Sequence, residues 1–301
     1  MCLVMKELTL KKKNIHSCLV CGNEQSKQFE YKKFNYYKCS RCGHVTTYPY
    51  PSRLQMKHYY QEKFKHGNYH LAREFAQEYK VVYRQFVHRL ETFLKENKKS
   101  LKGIKILDIG CFTGDFLVLM KEAGADVYGL ELQRDAVKIA NKKLNGRVKI
   151  ADVMTDVFPK TRFDVITLLG IVEHVTNPVK LIKRSTALLK KGGILMIQTP
   201  NSSSLLSRLT RQLWPPYEPV EHVHLFSRKS LTNVLRDLGY TEITYSKHVK
   251  KLPLGYVYRQ FKNFGIEFYR LLRPLESIIL KLSSISLPFY GGEMIIIAKK
   301  R

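Results

Sequence analysis

The stretch of residues 105–114 constrains the fold of this chain more than any other part. An apolar run that includes Asp108 enters a turn that contains Gly110 and Gly114. The residues that follow Gly114 are typical of a helix, so the pattern predicts a strand that turns sharply into a helix. Such a turn places backbone N–H groups and the positive end of a helix dipole at the carboxyl edge of a sheet, where small molecules bind.

The residues around this turn favour a ligand that carries a ribose and an amine but no phosphate. A dinucleotide-binding turn needs a second glycine two residues after Gly110, and Phe112 stands at that place. Asp108 would repel a phosphate and attract an amine. Glu131 ends the next predicted strand, where an acid can accept hydrogen bonds from ribose hydroxyls, and Asp152 ends a third. S-adenosylmethionine is a ligand with this combination of groups.

With these motifs in this order, the chain resembles the class I S-adenosylmethionine-dependent methyltransferases. Residues 106–114 resemble their first motif, residues 129–131 their ribose-binding acid and residues 151–153 the segment that contacts the adenine. Residues 163–170 and 189–197 resemble their fourth strand and the turn into their fifth. The resemblance implies a Rossmann-like α/β fold with a seven-stranded sheet. The cofactor-binding residues that it implies are Asp108, Gly110, Phe112, Gly114, Glu131, Leu132, Asp152, Val153 and Leu169.

Four of the six cysteines form two Cys-x-x-Cys pairs, and each pair is followed by a glycine. The pairs are Cys18 with Cys21 and Cys39 with Cys42, a spacing that predicts a tetrahedral zinc site in a small ribbon. Because four thiolates fill the coordination sphere, we expect a structural zinc ion and not a catalytic one. Two disulfides are the alternative, which a reducing compartment disfavours. The aromatic and basic residues between the pairs fit the ribbon's own core, or bases stacked on it.

Composition and periodicity divide the chain into five parts. We expect residues 1–53 to form the zinc ribbon, 54–100 a helical cap, 101–249 the cofactor-binding core, 250–290 an amphipathic helical insertion and 291–301 the last strand of the core sheet. Strands and helices alternate in the core, which predicts a mostly parallel sheet with helices on both faces. The apolar stripe of the insertion contains interspersed Lys and Arg residues. It could pack as a lid, mediate dimerisation or lie on a membrane surface.

Two segments that contain histidine follow predicted strands at the carboxyl edge of the predicted sheet. Glu173 and His174 come after the fourth strand, and Glu221, His222 and His224 come after the fifth. Methyl transfer to oxygen or carbon needs a base with a pKa near neutrality, which histidine supplies. In zinc-ribbon methyltransferases, including those of nucleotide-linked sugars, which this chain resembles, histidines at these places line the acceptor pocket. We therefore predict His222 as the base, with Glu221 as its partner and His174 beside it, whereas His224 is expected to be structural. A metal ion on Glu221, His222 and His224 is the alternative.

The net charge of +27 is concentrated on the two flanks of the core. Residues 1–100 carry +12 and residues 250–301 carry +7. Basic flanks can meet nucleic acid, an anionic membrane surface or a phosphorylated substrate, although a Lys-rich source proteome would give the same charge. The chain contains no run of 18 uncharged apolar residues and no secretory pattern at its start. We therefore expect a cytoplasmic location, with peripheral membrane contact as an option.

The function expected from these features is methyl transfer from S-adenosylmethionine to oxygen, carbon or nitrogen of a small molecule or of a glycan or lipid precursor. The enzymatic alternative is an RNA base methyltransferase whose ribbon and basic flanks hold the RNA. The non-enzymatic alternative is a binding module that keeps the fold without turnover. The acids Asp108, Glu131 and Asp152 argue against the binding module, because they keep the features of a cofactor site.

Overall fold

The computed structural model describes residues 16–52, 54–56, 58–59, 62, 76–154, 158, 160–258, 270 and 273–301. Within them the strands are β1 (Gln25–Tyr31), β2 (Phe34–Cys39), β3 (Val45–Tyr48), β4 (Lys105–Ile109), β5 (Asp126–Glu131), β6 (Val148–Ile150), β7 (Phe163–Leu169), β8 (Leu189–Pro200), β9 (His224–Leu225), β10 (Tyr240–Lys247), β11 (Lys250–Pro253), β12 (Ser286–Phe289) and β13 (Glu293–Lys300). The α-helices with complete bounds are α1 (Ala76–Glu96), α2 (Asp115–Glu122), α3 (Arg134–Leu144), α4 (Pro178–Leu188), α5 (Leu205–Thr210), α6 (Arg228–Asp237) and α7 (Glu276–Lys281).

A seven-stranded sheet with the order β10-β13-β8-β7-β4-β5-β6 forms the centre of the protein. The strands from β8 to β6 in that order are parallel to their neighbours, whereas β13 runs antiparallel to both β8 and β10. This order confirms the predicted Rossmann-like α/β sheet. Because neighbouring parallel strands end on the same side, β4 to β8 bring their carboxyl ends to one edge, which we call the ligand edge.

Helices cover both faces of this sheet, as alternating strands and helices predict. On one face α1 and α2 pack on the strands through Phe86, Leu90 and Phe116, in the same buried cluster as Ile106 of β4. On the other face α4 and α6 belong to a second cluster, which includes Leu107 of β4. Successive residues of β4 thus serve opposite faces, as expected of a parallel strand that is buried on both sides.

The cysteine-bearing ribbon shares its sheet with the core. β1, β2 and β3 are antiparallel, and β9 of the core joins β3 as the fourth strand. Val45 pairs with Leu225 and Thr46 pairs with His224. The Ser227 hydroxyl also donates to the backbone carbonyl of Cys42. The ribbon expected over residues 1–53 is therefore hydrogen-bonded to residues 224–227 of the core.

The segment 250–290 begins and ends in strands, which differs from the purely helical insertion expected from its stripe. β11 pairs antiparallel with β12, and Lys251 lies opposite Pro288. The pairing joins residues that are far apart in sequence, so a local helical period cannot reveal it. Residues 259–269 and 271–272, which carry much of the stripe, lie outside the described residues.

The long helix of the expected cap is α1, and it packs against β11 as well as α2. Residues 54–56, 58–59 and 62 of the cap are also helical where the structure describes them. Among the described helices, none combines the length and apolar character that crossing a membrane requires.

Candidate active site

The buried acid Asp108 stands at the ligand edge, one residue before the end of β4. Its side chain is 3% exposed and accepts a hydrogen bond of 2.6 Å from the Thr167 hydroxyl of the neighbouring strand. Burial raises the pKa of Asp108 to about 7; the Thr167 hydrogen bond opposes this rise, and the nearby charge of Glu131 adds to it. A bound cation would favour the ionised carboxylate, so the site is suited to an amine.

Three residues of the turn after β4 adopt the left-handed backbone conformation. Gly110, Phe112 and Gly114 have φ of +77°, +47° and +76°. A Cβ at Gly110 would lie 2.1 Å from Cδ1 of Ile171, so a side chain here would force Ile171 to move in addition to straining the backbone. The N–H of Gly110 donates to the carbonyl of Leu130 at 2.7 Å, which ties the turn to β5.

The Glu131 carboxylate is held in place by backbone N–H groups from both sides. One oxygen accepts from Phe112 at 3.0 Å, and the other accepts from Leu132 at 2.7 Å and Gln133 at 2.8 Å. Beside it, Leu132 is 60% exposed and Ile150 is 53% exposed. Ile150 lies opposite Glu131 in the pairing of β5 with β6, and Leu132 follows Glu131 in the chain. Exposed apolar side chains next to a fixed carboxylate fit an adenine ring joined to a ribose.

The remaining predicted cofactor residues come from the ends of β6 and β7. Asp152 accepts the N–H of Met154 at 2.9 Å, which shapes the turn after β6. Val153 is 4% exposed and packs in the second buried cluster, so its side chain serves the core. Leu169 is half-buried at the end of β7. Apart from the Val153 side chain, the structure gathers the predicted cofactor residues along the ligand edge.

Two histidine rings, tilted by 32° to each other, lie close together in the segments that follow β7 and β8. The centroids of His174 and His222 are 5.0 Å apart. Nδ1 of His174 lies 2.7 Å from the carbonyl of Glu221, and Nδ1 of His222 lies 2.7 Å from the carbonyl of Pro216. Because a carbonyl can only accept, each Nδ1 carries a proton, which leaves Nε2 as the ring atom that can accept one. A ring nitrogen that can accept a proton is what a general base requires.

Glu173 is the buried acid of this group. Its carboxylate accepts a hydrogen bond from Thr199 at 3.0 Å and lies 4.0 Å from Nε2 of His174. Burial raises the pKa of Glu173 above its ordinary value. Glu173, His174 and His222 each offer a possible metal-ligand atom within 4.8 Å of the others. His174 thus lies beside His222, as the sequence suggested, but the metal alternative had combined His222 with Glu221 and His224, whereas Glu173 is the acid of this group in the structure.

Glu221 and His224 point to other partners. The Glu221 carboxylate accepts from the hydroxyl of Tyr59 at 2.7 Å, which ties it to the cap. His224 is fully buried between His44 of the ribbon, 3.1 Å away, and the carbonyl of Thr176, 3.3 Å away. Burial lowers the pKa of His224 to about 4, so the ring is neutral at physiological pH. These contacts agree with the structural role expected for His224.

A polar network around Glu293 was not predicted from the sequence. Glu293 accepts from Gln198 at 2.9 Å and from Lys250 at 2.7 Å, and it lies 3.0 Å from Nδ1 of His248. Although burial opposes ionisation, Lys250 and His248 lower the pKa of Glu293 well below its ordinary value. The four residues come from three distant segments, so no local motif indicates them. Gln198 accepts the Gly170 N–H through its carbonyl, which places this network at the ligand edge.

The four predicted zinc ligands form one cluster. The sulfur atoms of Cys18 and Cys42 are 3.6 Å apart and those of Cys21 and Cys39 are 3.5 Å apart. A tetrahedral ion with Zn–S bonds of about 2.3 Å needs sulfur separations near about 3.8 Å, so the cluster fits zinc. The four cysteines carry free thiols in the structure, so neither disulfide of the alternative is formed. The four-cysteine site is compatible with the predicted structural zinc.

The strand order, the acidic turn after β4 and the acid that ends β5 define the S-adenosylmethionine-binding methyltransferase fold. The sequence model of the family described as "Methyltransferase domain" matches residues 75–245, more than half of the chain. The chain therefore belongs to this methyltransferase family.

Curated relatives match the chain over its central part. It is 38% identical over 117 residues to a ubiquinone biosynthesis O-methyltransferase of Pelagibacter ubique, covering 36% of this chain and 48% of that protein. It is 32% identical over 123 residues to the protein of the same name from Bordetella avium, covering 38% and 49%. The chain thus spans about half the length of the curated relatives that it matches.

Solved structures share the fold at low sequence identity. The magnesium protoporphyrin IX methyltransferase of Synechocystis PCC 6803 with bound SAH aligns with a TM-score of 0.53 at 15% identity, covering 81% of this chain and all of that one. A putative methyltransferase of Bacillus halodurans C-125 aligns with a TM-score of 0.51 at 15% identity, covering 69% and 97%. Likeness at this level of identity establishes the fold alone.

Proposed function

We propose that this chain transfers a methyl group from S-adenosylmethionine to a small molecule or to a glycan or lipid precursor. The observation that carries the proposal is the position of two sites on one sheet edge. Asp108 and Glu131 form a cofactor half, and His174 and His222 form a basic half in the turns that follow the neighbouring strands β7 and β8. Two half-sites on one edge suit a reaction that brings two substrates together.

Each residue of the cofactor half has a distinct task in this proposal. Asp108 accepts a hydrogen bond from the amine, Glu131 accepts hydrogen bonds from the ribose hydroxyls, and the exposed Leu132 side chain covers the adenine. When bound, S-adenosylmethionine supplies an electrophilic methyl group.

His222 is the proposed base of the acceptor half. Its Nε2 takes the proton of the acceptor as the new bond to the methyl group forms, and the Pro216 carbonyl holds Nδ1–H at 2.7 Å. That contact orients the ring and stabilises the imidazolium that results. His174 and Glu173 line the same pocket, and Glu221 positions the loop through Tyr59.

An oxygen acceptor on a small molecule is the version that the relatives support, since both are named as O-methyltransferases. The RNA alternative lacks an observation of its own at the site. Glu173 and Glu221 beside the histidines disfavour a polyanion there. We also propose the five-part domain division and a cytoplasmic location. Of the two possible partners, an anionic membrane is proposed in preference to nucleic acid.

The test separates chemistry from cofactor binding. Purified protein is incubated with radiolabelled S-adenosylmethionine and fractionated small metabolites, lipids or RNA, and the labelled fraction identifies the acceptor class. His222→Ala should keep its affinity for the cofactor and lose about 10²–10⁴ in turnover. His88→Ala, an exposed histidine on α1, serves as the control. Equal loss of binding and turnover would make His222 structural, and label confined to RNA would replace the small-molecule proposal.

A further inference from the structure

Large apolar side chains are exposed in two stretches of the chain, one that follows β8 and one that precedes β13. The first covers α5 and the 3-10 turn after it. Leu205, Leu209 and Leu213 recur at every fourth residue there, and Leu209 is 71% exposed. Leu205 and Leu209 lie on one side of α5, because residues four apart share a helix face, and Leu213 is exposed in the 3-10 turn that follows.

The second stretch runs from residue 275 to residue 287. The short helix α7 buries none of its side chains, and the strand β12 that follows it is exposed on its apolar residues as well. Isolated exposed leucines are ordinary on a protein surface, but a dense run of them marks a contact with a partner or a membrane. The exposed apolar residues of this stretch are Leu275, Ile278, Leu280, Leu282, Ile285 and Leu287.

The two stretches meet through Trp214 and the turn before β13. Trp214 is 1% exposed, and its indole N–H donates to the carbonyl of Gly291 at 3.0 Å. The N–H of Asn201, just after β8, donates to the carbonyl of Gly292 at 2.8 Å. The same loop continues from Trp214 to Pro216, the residue that holds His222. The exposed stretches therefore border the acceptor half of the site.

Cations accompany the apolar residues on both stretches. Arg208 and Arg211 are exposed between the leucines of the first stretch, and residues 201–213 contain no acid. Arg273 and Lys281 are exposed in the second stretch, where Glu276 is the sole acid between residues 273 and 289. A surface that combines exposed leucines with unopposed cations is complementary to an anionic lipid interface, which accepts both.

We propose that Leu205, Leu209 and Leu213, together with residues 275–287, dock on an anionic membrane and present the acceptor pocket to a lipid-linked acceptor. The lipid-linked acceptor rests on the proposed methyl transfer, whereas docking does not. A second copy of the chain is a poorer occupant of this surface, because a symmetric contact would bring its cations together. RNA is also a poorer occupant, since phosphates gain nothing from the leucines.

The test measures vesicle binding of the full chain and needs no methyl transfer. Sedimentation with vesicles of phosphatidylcholine alone is compared with vesicles of phosphatidylcholine and phosphatidylglycerol. We expect binding to the anionic vesicles that weakens about tenfold or more in Leu205→Ser/Leu209→Ser/Leu213→Ser and in Ile278→Ser/Leu280→Ser. Arg208→Gln/Arg211→Gln should weaken it by a similar factor and reduce its salt dependence. Val81→Ser, an exposed apolar residue of α1, is the matched control.

Cofactor affinity, measured by calorimetry, shows whether each variant is folded. Unchanged vesicle binding in the leucine variants, or RNA binding that is tighter than vesicle binding and indifferent to the leucines, overturns the docking surface. If the wild-type chain transfers methyl groups but does not bind anionic vesicles, the docking proposal alone is overturned. Vesicle binding without transfer to any acceptor fraction would instead count against the proposed function.

Discussion

Replacing Asp108 by Asn should stabilise the protein at neutral and alkaline pH and lower its affinity for the cofactor. Burial raises the pKa of this carboxyl from 3.8 to about 7, and each unit of such a shift corresponds to about 1.36 kcal/mol. Keeping the carboxylate ionised in the fold therefore costs up to about 4 kcal/mol above neutral pH. Asparagine has no charge to bury and keeps an oxygen for the Thr167 hydroxyl, so it removes most of this cost.

The sign of the pH dependence follows from the direction of the shift. Because the pKa is higher in the folded state, folded Asp108 retains a proton that the unfolded chain has lost between about pH 4 and pH 7. The free energy of unfolding of the wild type should fall across this interval and then level off, whereas Asp108→Asn should lack this loss. Below about pH 4 the carboxyl is protonated in both states, and the two proteins should differ little.

Urea unfolding across this pH range measures the first half of the prediction, and calorimetry with S-adenosylmethionine measures the second. The loss of a hydrogen bond between the amine and a carboxylate should weaken binding by about 1.5–3 kcal/mol. Asp135→Asn, whose side chain is exposed on α3, is the control and should change neither quantity appreciably. A variant that is no more stable than wild type at alkaline pH, or that binds the cofactor as tightly, would refute the reasoning.

Three further predictions concern the ribose acid, the glycine turn and the zinc site. Glu131→Ala should weaken cofactor binding by about 1–3 kcal/mol, and unchanged affinity in calorimetry would remove Glu131 from the site. Gly110→Ala should cost about 1–3 kcal/mol more in unfolding free energy than Gly103→Ala, because both have positive φ but an added Cβ meets neighbours only at Gly110; equal costs would contradict the steric argument. Purified protein should hold one zinc ion per chain, and Cys39→Ser should release it and raise hydrogen exchange in β3 and β9 but not in β5. Metal-free protein with full protection in β3 would end the zinc interpretation.

The central sheet could be predicted from the sequence because its signals are local. Asp108 lies one residue before the end of β4, Glu131 ends β5, and Gly110 in the turn after β4 has a positive φ. The motif around residues 106–114 therefore fixes a strand, a turn and a helix together, and the acids follow in chain order. The two Cys-x-x-Cys pairs are equally local, which is why the clustering of their sulfurs is also predictable.

The partners of the acceptor residues could not be predicted, because they come from distant parts of the chain. β9 has two residues, and it pairs with β3 across a sequence separation that no periodicity reports. His224 meets His44 for this reason, and the Glu-His-x-His spacing alone cannot distinguish that contact from a metal site. Glu293 joins Gln198, His248 and Lys250 in the same way, through strands that become neighbours only in the folded sheet.

The two halves of the site are supported by different parts of the molecule. The N–H of Val223 donates to the Glu173 carbonyl at 2.8 Å, and its own carbonyl accepts the N–H of Thr47 in the ribbon at 3.0 Å. Glu173 and the segment after His222 are therefore linked by backbone hydrogen bonds to the zinc ribbon. The cofactor half is fixed instead by the glycine turn, through contacts of β4 with β5 and β7. Changes in the ribbon should therefore disturb Glu173 and the segment after His222 more than the glycine turn, which would let the proposed acceptor pocket vary while the proposed cofactor site is kept.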